Sequence, residues 1–139
     1  MELLDMAGHL IRRLHQQSTQ VFAQRTQAAG FDLTAVQFAA LEAIHAHPAT
    51  DQARVAELIA YDRATIGGVI ERLEQKGWIR RVVSERDRRA REISLTAEGK
   101  RVRTQLLPIV RELQDEMLQP LSRSERAAFL KLARQALRQ

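Results

Sequence analysis

The apolar residues follow a helical period along most of the chain, and that period changes once, between residues 78 and 95. In this window the segment 78–83 is rich in β-branched residues, and in the segment 90–95 Ile93 and Leu95 alternate with polar residues. A period of two is typical of strands, because successive side chains of a strand point to opposite faces. The polar stretch 84–89 separates the two segments. The pattern predicts one β-hairpin inside an otherwise helical chain.

Capping residues place the starts of the predicted helices. Thr34 with Gln37, and Ser122 with Glu125, have the spacing of a capping box, in which two side chains satisfy free backbone N–H groups of the first turn. Three further helix starts are predicted at side chains that commonly cap helices, namely Asp51, Asp62 and Thr96.

Glycine and proline place the helix ends. The first helix is predicted to end at Ala29–Gly30, the second at Pro48 and the fourth at Gly77. Pro108 lies inside the predicted fifth helix, which we expect it to bend. The order is therefore four helices, a hairpin and two helices, which is an all-α fold with a small β-hairpin.

Composition excludes several function classes. The chain has no cysteine, which excludes disulfides, cysteine-ligated zinc and thiol redox chemistry. The start is acidic and does not resemble a signal peptide, and no apolar run approaches the roughly 18 residues of a membrane span, so we expect a cytoplasmic protein. His45 and His47 are two apart on a helix and point in different directions. With no catalytic constellation or phosphate loop either, we predict no metal, no cofactor and no enzymatic activity.

Positive charge is concentrated around the predicted hairpin. The window 76–91 holds seven basic residues and two acidic ones, a difference of five that equals the formal net charge of the whole chain. A concentrated basic patch is typical of proteins that bind polyanions. The basic residues are Lys76, Arg80, Arg81, Arg86, Arg88, Arg89 and Arg91.

The third and fourth helices, joined by the brief turn at Ala60–Tyr61, have the form of a helix-turn-helix. In that motif the second helix enters the major groove of DNA. The helical period turns Ile66, Val69, Ile70 and Leu73 inward. The candidates for DNA contact on this segment are Arg63, Thr65, Gly67, Gly68 and Arg72.

Two glycines in succession are unusual inside a helix, where each costs about 0.8–1 kcal/mol relative to alanine. One explanation for Gly67 and Gly68 is a close approach of the backbone to DNA, and the other is tight packing against another helix. Both explanations stay open at this point.

The hairpin after the helix-turn-helix is predicted to act as a wing. Arg86, Arg88 and Arg89 at its tip suit the minor groove, whose negative potential attracts guanidinium groups. Asp87 is a poor candidate for DNA contact, and we expect it either to pair with Arg89 or to cap the turn.

These segments together resemble the MarR family of winged helix-turn-helix transcriptional regulators. The stretch 62–81 resembles the family's recognition helix and first wing strand, and 34–44 its second helix. Residues 87–89 match the Asp-x-Arg wing signature, and residues 95–99 match the Leu-Thr-x-x-Gly step into the next helix. Gly67 and Gly68 depart from the pattern, since many members carry Thr-Arg there. The resemblance implies a dimeric repressor that binds an inverted-repeat operator, with residues 34–95 as the DNA-binding part.

The segment 8–17 resembles members that respond to aromatic carboxylates such as hydroxybenzoates or hydroxynicotinate. In such members an arginine of the first helix binds the ligand carboxylate, and Arg12 is the matching residue. His9 is a further pocket candidate, and Gln16 and Thr19 follow Arg12 on the same helix face. The aromatic ring is expected against Leu14, Phe38 and Leu106. Alternatively, Arg12 forms a salt bridge between subunits.

Residues 1–30 and 96–139 are predicted to form the dimerisation part within a single domain of 139 residues. Two apolar stripes on the last helices exceed what a small winged-helix core needs, and we expect a two-fold dimer to bury them. The residues of these stripes are Leu106, Val110, Leu113, Met117, Phe129, Leu130, Ala133 and Leu137. A helical protein–protein interaction module without specific DNA binding is the alternative function, and salt-dependent binding of duplex DNA distinguishes the two.

Overall fold

The computed structural model describes residues 1–137, and its elements follow the predicted order. A short 3-10 helix at Glu2–Asp5 precedes six α-helices and one antiparallel hairpin, which confirms the predicted fold class. Ile79 lies opposite Leu95 and Val83 opposite Arg91 in the hairpin. The elements are α1 (Ala7–Ala28), α2 (Ala35–Ala46), α3 (Gln52–Leu58), α4 (Ile66–Gln75), β1 (Ile79–Val83), β2 (Arg91–Leu95), α5 (Ala97–Met117) and α6 (Arg123–Ala136).

Four of the predicted helix starts are confirmed at the level of single hydrogen bonds. Both capping boxes are present, at Thr34 and at Ser122. The Asp51 carboxylate accepts a hydrogen bond from the Arg54 N–H at 2.8 Å, and the Thr96 hydroxyl accepts one from the Gly99 N–H at 3.0 Å. These side chains satisfy N–H groups that the first turn of a helix leaves free.

The predicted start of the fourth helix at Asp62 is wrong. Residues 63–65 form a turn, and α4 begins at Ile66. The Asp62 carboxylate accepts hydrogen bonds from the Ala64 N–H and the Thr65 hydroxyl, both at 3.3 Å. Aspartate can close a local turn through such bonds as readily as it caps a helix.

The end of α4 is as predicted. Gly77 has a φ of +79°, its N–H donates to the Glu74 carbonyl at 2.9 Å, and the Trp78 N–H donates to the Leu73 carbonyl at 3.1 Å. This pair of bonds is a Schellman motif, which ends a helix with a residue in the left-handed conformation that glycine adopts without strain. The motif fixes the direction in which the chain leaves α4 and enters β1.

The hydrophobic core surrounds α2, which contacts α1, α3, α4, α5 and β2. Leu41 and Ile44 of α2 are fully buried, as are Ile70 and Leu73 of α4. Burial of an aliphatic side chain of this size contributes about 1.5–3 kcal/mol, so these contacts account for much of the stability of the DNA-binding part.

The prediction that the α5 stripe serves the dimer is wrong. Leu106 and Leu113 are fully buried and Val110 nearly so within the core of this one chain, and Met117 packs against that core. The reason is that α5 packs along α1 and against α2. The same prediction for the apolar stripe of α6 stays a prediction, because no residue of that helix is buried within this chain.

Two ion-pair clusters connect α5 to the rest of the chain. Arg25 of α1 donates to Glu112 at 2.9 Å and to Glu116 at 2.5 Å, and these carboxylates, Glu116 foremost, raise the pKa of Arg25. Arg103 of α5 donates to Glu42 of α2 at 2.7 Å. These pairs hold the long helix against both α1 and α2.

Candidate nucleic-acid interface

The face of α4 that points away from the core is exposed and polar. Ile66, Ile70 and Leu73 are buried on the inner face, as predicted, and Val69 is half-buried. The exposed positions of this helix are Gly68, Glu71, Arg72 and Gln75. The helix therefore presents one arginine, one carboxylate and one amide to the surroundings, all of which can bind base edges in a major groove.

Gln75 and Lys76 extend this face beyond the residues that the sequence predicted. Together with Gly68, Glu71 and Arg72 they line a surface depression of about 550 Å³. Gln75 follows Gly68 by seven residues and Arg72 by three, so the helical period contained the signal for it. Lys76 is partly engaged, because its ammonium lies 4.9 Å from the centre of the Trp78 ring and 3.9 Å from a carboxylate oxygen of Asp32.

The structure places Arg63 and Thr65 in the turn before α4 and not on the helix itself. Both residues are exposed. The Thr65 hydroxyl donates to Asp62, at 3.3 Å from its carbonyl oxygen and 3.3 Å from its carboxylate. Arg63 therefore remains available for DNA, whereas Thr65 first serves the turn.

The two glycines of α4 have different surroundings. A Cβ atom added at Gly67 would lie 3.3 Å from the Gln52 amide nitrogen, which belongs to a flexible side chain. A Cβ atom added at Gly68 would meet nothing within 4 Å. Packing inside this chain therefore does not require a glycine at 68, and of the two explanations the close approach to DNA remains for that position.

The hairpin tip, residues 84–90, is held in shape by Ser84 and Asp87. The Ser84 hydroxyl accepts hydrogen bonds from the N–H groups of Arg86 and Asp87, at 3.2 and 3.3 Å, and donates to Glu92 at 3.1 Å. The Asp87 carboxylate accepts the Arg89 N–H at 3.0 Å. Asp87 therefore caps the turn through the backbone of Arg89, which is one of the two roles expected for it. Sequence analysis missed Ser84, whose role only the paired strands reveal.

Three arginines of the tip are free to bind a polyanion. Arg86, Arg88 and Arg89 are exposed and form no ion pair within residues 1–137. Arg81, by contrast, donates to Glu74 of α4 at 2.8 Å and thereby lowers the pKa of the Glu74 carboxyl group. One arginine of the hairpin therefore holds β1 against α4, and the three arginines of the tip face outward.

The base of the hairpin is attached to the end of α4. The Thr96 hydroxyl donates to the Gly77 carbonyl at 2.6 Å, and the Thr96 N–H donates to the Trp78 carbonyl at 3.0 Å. A Cβ atom at Gly99 would lie only 1.9 Å from the Trp78 carbonyl oxygen. The Leu-Thr-x-x-Gly step therefore has a physical basis here, because only glycine lets the start of α5 approach Trp78 this closely.

The candidate carboxylate-binding arginine lies on an exposed face of α1. The Arg12 guanidinium is 3.5 Å from Nδ1 of His9, and Arg12 forms no ion pair in the described part of the chain. Gln16, one turn later, is exposed as well. The Thr19 hydroxyl is engaged, since it donates to the His15 carbonyl at 2.9 Å.

Phe38 lies apart from Arg12. Its ring packs against Phe22, with ring centres 6.3 Å apart. Phe22 follows Arg12 by ten residues of α1, which is about 15 Å along the helix. Leu106 is fully buried and offers no open surface. Within one chain, the expected ligand residues thus fall into two groups, with His9, Arg12 and Gln16 in one and Phe38 in the other.

Comparison with known proteins adds an independent observation. Residues 33–90 match the model of the MarR family. The chain is 32% identical to the HTH-type transcriptional repressor NicR of Pseudomonas putida over 98% of this chain and 85% of that protein. It is 34% identical to the transcriptional regulator HosA of Escherichia coli over 99% of this chain and 98% of that protein. The names of both relatives describe transcriptional regulators and not enzymes.

Solved structures agree with the whole fold. The chain superposes on Bordetella bronchiseptica BpsR, described in terms of regulation of its DNA binding by 6-hydroxynicotinic acid, with a TM-score of 0.87 and 30% identity. That match covers 95% of this chain and 93% of BpsR. The repressor CouR, solved with a 23-mer DNA duplex, gives a TM-score of 0.89 with 25% identity, covering 98% of this chain and 95% of CouR.

Proposed function

This chain belongs to the MarR family of DNA-binding transcriptional regulators, and we propose that it is a dimeric repressor that leaves its operator when a small aromatic carboxylate binds. The observation that carries the proposal is a pair of separate outward-facing cationic surfaces. One is formed by α4 and the hairpin tip, and the other by Arg12 on α1. The first suits a polyanion and the second a single carboxylate. We expect the protein to work in the cytoplasm, where it meets DNA.

The exposed face of α4 and the hairpin tip suit the two grooves of one DNA half-site. An α-helix fits the major groove, which is about 12 Å wide, and arginines enter a narrow minor groove. In this arrangement α4 would present Gly68, Arg72 and Gln75 to base edges. The hairpin tip would present Arg86, Arg88 and Arg89 to the neighbouring groove or its phosphates. The Thr96–Gly77 bond supports a fixed spacing between helix and hairpin, because it attaches the hairpin base to the end of α4.

What supports the dimer is a set of apolar side chains that one chain leaves exposed. They lie at both ends of the sequence, near the start of α1 and along α6. Leaving each large apolar side chain in water costs about 1.5–3 kcal/mol, so a partner that covers these side chains would be stabilised. The residues are Leu3, Leu4, Met6, Leu10, Ile11, Leu14, Leu130, Leu132 and Leu137. In this proposal the α1 start replaces the α5 stripe as the surface that the partner covers.

Arg12 is the group proposed to bind the effector carboxylate. A guanidinium holds a carboxylate with two parallel charge-assisted hydrogen bonds. The contrast with Arg25 supports this role, because Arg25 on the same helix is already paired with Glu112 and Glu116. BpsR, whose DNA binding is regulated by a hydroxynicotinic acid, supports the class of ligand. His9 and Gln16 would complete the carboxylate site, and the aromatic ring would extend from there.

Substitution of Arg12 tests the proposal. We expect Arg12→Ala to bind the operator with the affinity of the wild type and to lose release by 6-hydroxynicotinate or 4-hydroxybenzoate. A tenfold loss of DNA affinity in the wild type requires about 1.4 kcal/mol of difference in ligand binding between the two states of the dimer. Titration of labelled operator, with and without ligand at millimolar concentration, measures both quantities.

Arg13→Ala is the matched control, because Arg13 is the exposed neighbour of Arg12 and carries the same charge. Its response to ligand should equal that of the wild type. If Arg12→Ala is released by the same acid at the same concentration, the effector binds elsewhere. If Arg12→Ala instead falls apart into monomers, Arg12 forms a salt bridge between subunits.

A further inference from the structure

A second cavity lies on the other side of the DNA-binding part. It is a half-open depression of about 220 Å³ between the end of α2, the hairpin and the first turn of α5. The exposed ring of Pro48 supplies most of its apolar wall, because Ile44 and Leu95 are buried and contribute only an edge. Its polar groups belong to His45, Arg80, Ser94 and Lys100. Neither Arg12 nor any exposed residue of α4 lines this cavity.

Two polar groups of this cavity, those of Arg80 and Lys100, are cationic and have no acidic partner in the described chain. Arg80 and Lys100 take part in no ion pair among residues 1–137, and no carboxylate lines the cavity. On the same face of β2, the Glu92 carboxylate accepts a hydrogen bond from the Ser84 hydroxyl at the hairpin tip. Two neighbouring positive side chains repel each other, so an anion between them would be stabilised by both.

Strand geometry separates this cavity from α4. Arg80 and Arg81 are neighbours on β1, and neighbouring side chains of a strand point to opposite faces. Arg81 pairs with Glu74 of α4, so Arg80 lies on the face of the hairpin that points away from that helix. Ser94, which is opposite Arg80 in the register, accepts a hydrogen bond from the Ala49 N–H at 3.2 Å and so closes the cavity toward the loop after α2.

We propose that this cavity binds a small monocarboxylate with a compact apolar body, at a site separate from Arg12. Its volume of about 220 Å³ suits a compact acid of about the size of benzoate. The carboxylate lies against Arg80 and Lys100, and the apolar body packs on the exposed ring of Pro48. An inorganic oxyanion such as phosphate shares the charge of this ligand but gains nothing from the apolar wall. Since the site contacts α2, the hairpin and α5 together, its occupant holds the hairpin against the start of α5.

Backbone NMR of the full-length protein locates the ligand directly. In a titration with benzoate, the amide signals of Ala49, Ser94 and Lys100 should shift and saturate, in the wild type and equally in Arg12→Ala. Arg80→Gln and Lys100→Gln should each raise the dissociation constant for these shifts by about fivefold, the usual upper effect of one exposed charge. The double substitution should raise it by about 25-fold, so that the shifts no longer saturate in the same concentration range.

Arg111→Gln is the matched control, since Arg111 is exposed on α5, loses the same charge and lies outside the cavity. Its titration should equal that of the wild type. Thermal midpoints of all variants show that they fold, which their exposed positions lead us to expect.

Shifts confined to α1, or shifts that survive the double substitution, overturn the proposal. Phosphate producing the same shifts at the same concentration overturns the requirement for an apolar body. Because the Arg12→Ala protein is titrated in parallel, failure here is distinguishable from failure of the Arg12 proposal.

Discussion

Gly68 shows how a single residue can lower stability where function requires it. The position is exposed, in the first turn of α4, and has empty space around its Cα atom. Glycine destabilises a helix by up to about 0.8–1 kcal/mol relative to alanine, and nothing in this chain offsets that cost at residue 68. The absence of a side chain is explained if the backbone of α4 comes close to DNA.

Gly68→Ala should therefore change stability and DNA binding in opposite directions. We expect the free energy of unfolding to rise by about 1 kcal/mol, and operator affinity to fall about tenfold, because the added methyl group holds the helix away from the groove. Chemical denaturation and a DNA titration measure the two effects. Since the variant is more stable, loss of affinity cannot come from unfolding. A variant that binds as well as the wild type would remove the proposed role of Gly68.

Most of what sequence analysis missed concerns hydrogen bonds that form only when the chain is folded. Ser84 acts through three hydrogen bonds at the hairpin tip, and only the pairing of the strands brings those partners together. Thr65 and Asp62 were assigned separate roles, whereas they bond to each other within one turn. Gln75 was available from the helical period alone. Local spacing therefore predicts which side chains point outward, and it does not predict which of them are already engaged.

Among the elements, the starts of the helices with a capping box were predictable, because the two side chains of the box are only three residues apart. Thr34 with Gln37 and Ser122 with Glu125 needed no tertiary contact to identify. The use of the α5 stripe was not predictable, because a helix face that packs on its own chain has the same apolar period as one that packs on a partner. Leu106 and Leu113 turned out to face the core of this chain.

The hairpin is the element whose contribution to DNA binding should depend most on salt. Each phosphate that an arginine neutralises releases counterions, which gives a slope of about −0.9 in a plot of log affinity against log salt concentration. Replacing Arg86, Arg88 and Arg89 by alanine should reduce that slope by about 0.9 for every phosphate that each subunit no longer neutralises. Arg111→Ala, on α5, should leave the slope unchanged. A triple variant that binds normally at physiological salt would show that the hairpin does not contact DNA.

The ion pair between Glu74 and Arg81 gives the junction of α4 and β1 a pH dependence. The hydrogen bond from Arg81 lowers the pKa of Glu74 from its ordinary value of 4.5, so the folded state favours the ionised form. The stabilisation is therefore present above about pH 4.5 and is lost as the pH falls through the lower pKa of the folded state. Because the Glu74 side chain is 38% exposed, the effect is small.

Comparison of the wild type with Glu74→Gln measures this contribution. The two proteins should differ in denaturation midpoint at about pH 7 and converge as the pH falls below the lowered pKa of Glu74 in the folded state. Glu85→Gln is the control, since Glu85 is an exposed carboxylate of the same hairpin with no ion pair in the described chain. A difference that persists unchanged at low pH would assign the effect to packing and not to charge.

For the whole molecule, the arrangement of two DNA-binding parts decides specificity. One chain presents one recognition helix and one wing, which read only a short half-site. Exposed apolar residues near the start of α1 and on α6 are the surfaces that a second copy would cover, such as Ile11, Leu132 and Leu137. A two-fold dimer of this kind places two recognition helices about 34–36 Å apart, one turn of DNA. An effector that changes this distance by a few ångströms would prevent both helices from binding at once.

Selection of bound sequences from a random duplex library tests this arrangement most directly, because it requires no knowledge of the natural operator. The account predicts that the enriched duplexes share an inverted repeat whose half-sites are centred about 10 base pairs apart, as expected for a symmetric dimer on one face of the helix. Enrichment of a single half-site without a repeat would contradict the dimer. Failure to enrich any sequence would contradict specific recognition by α4.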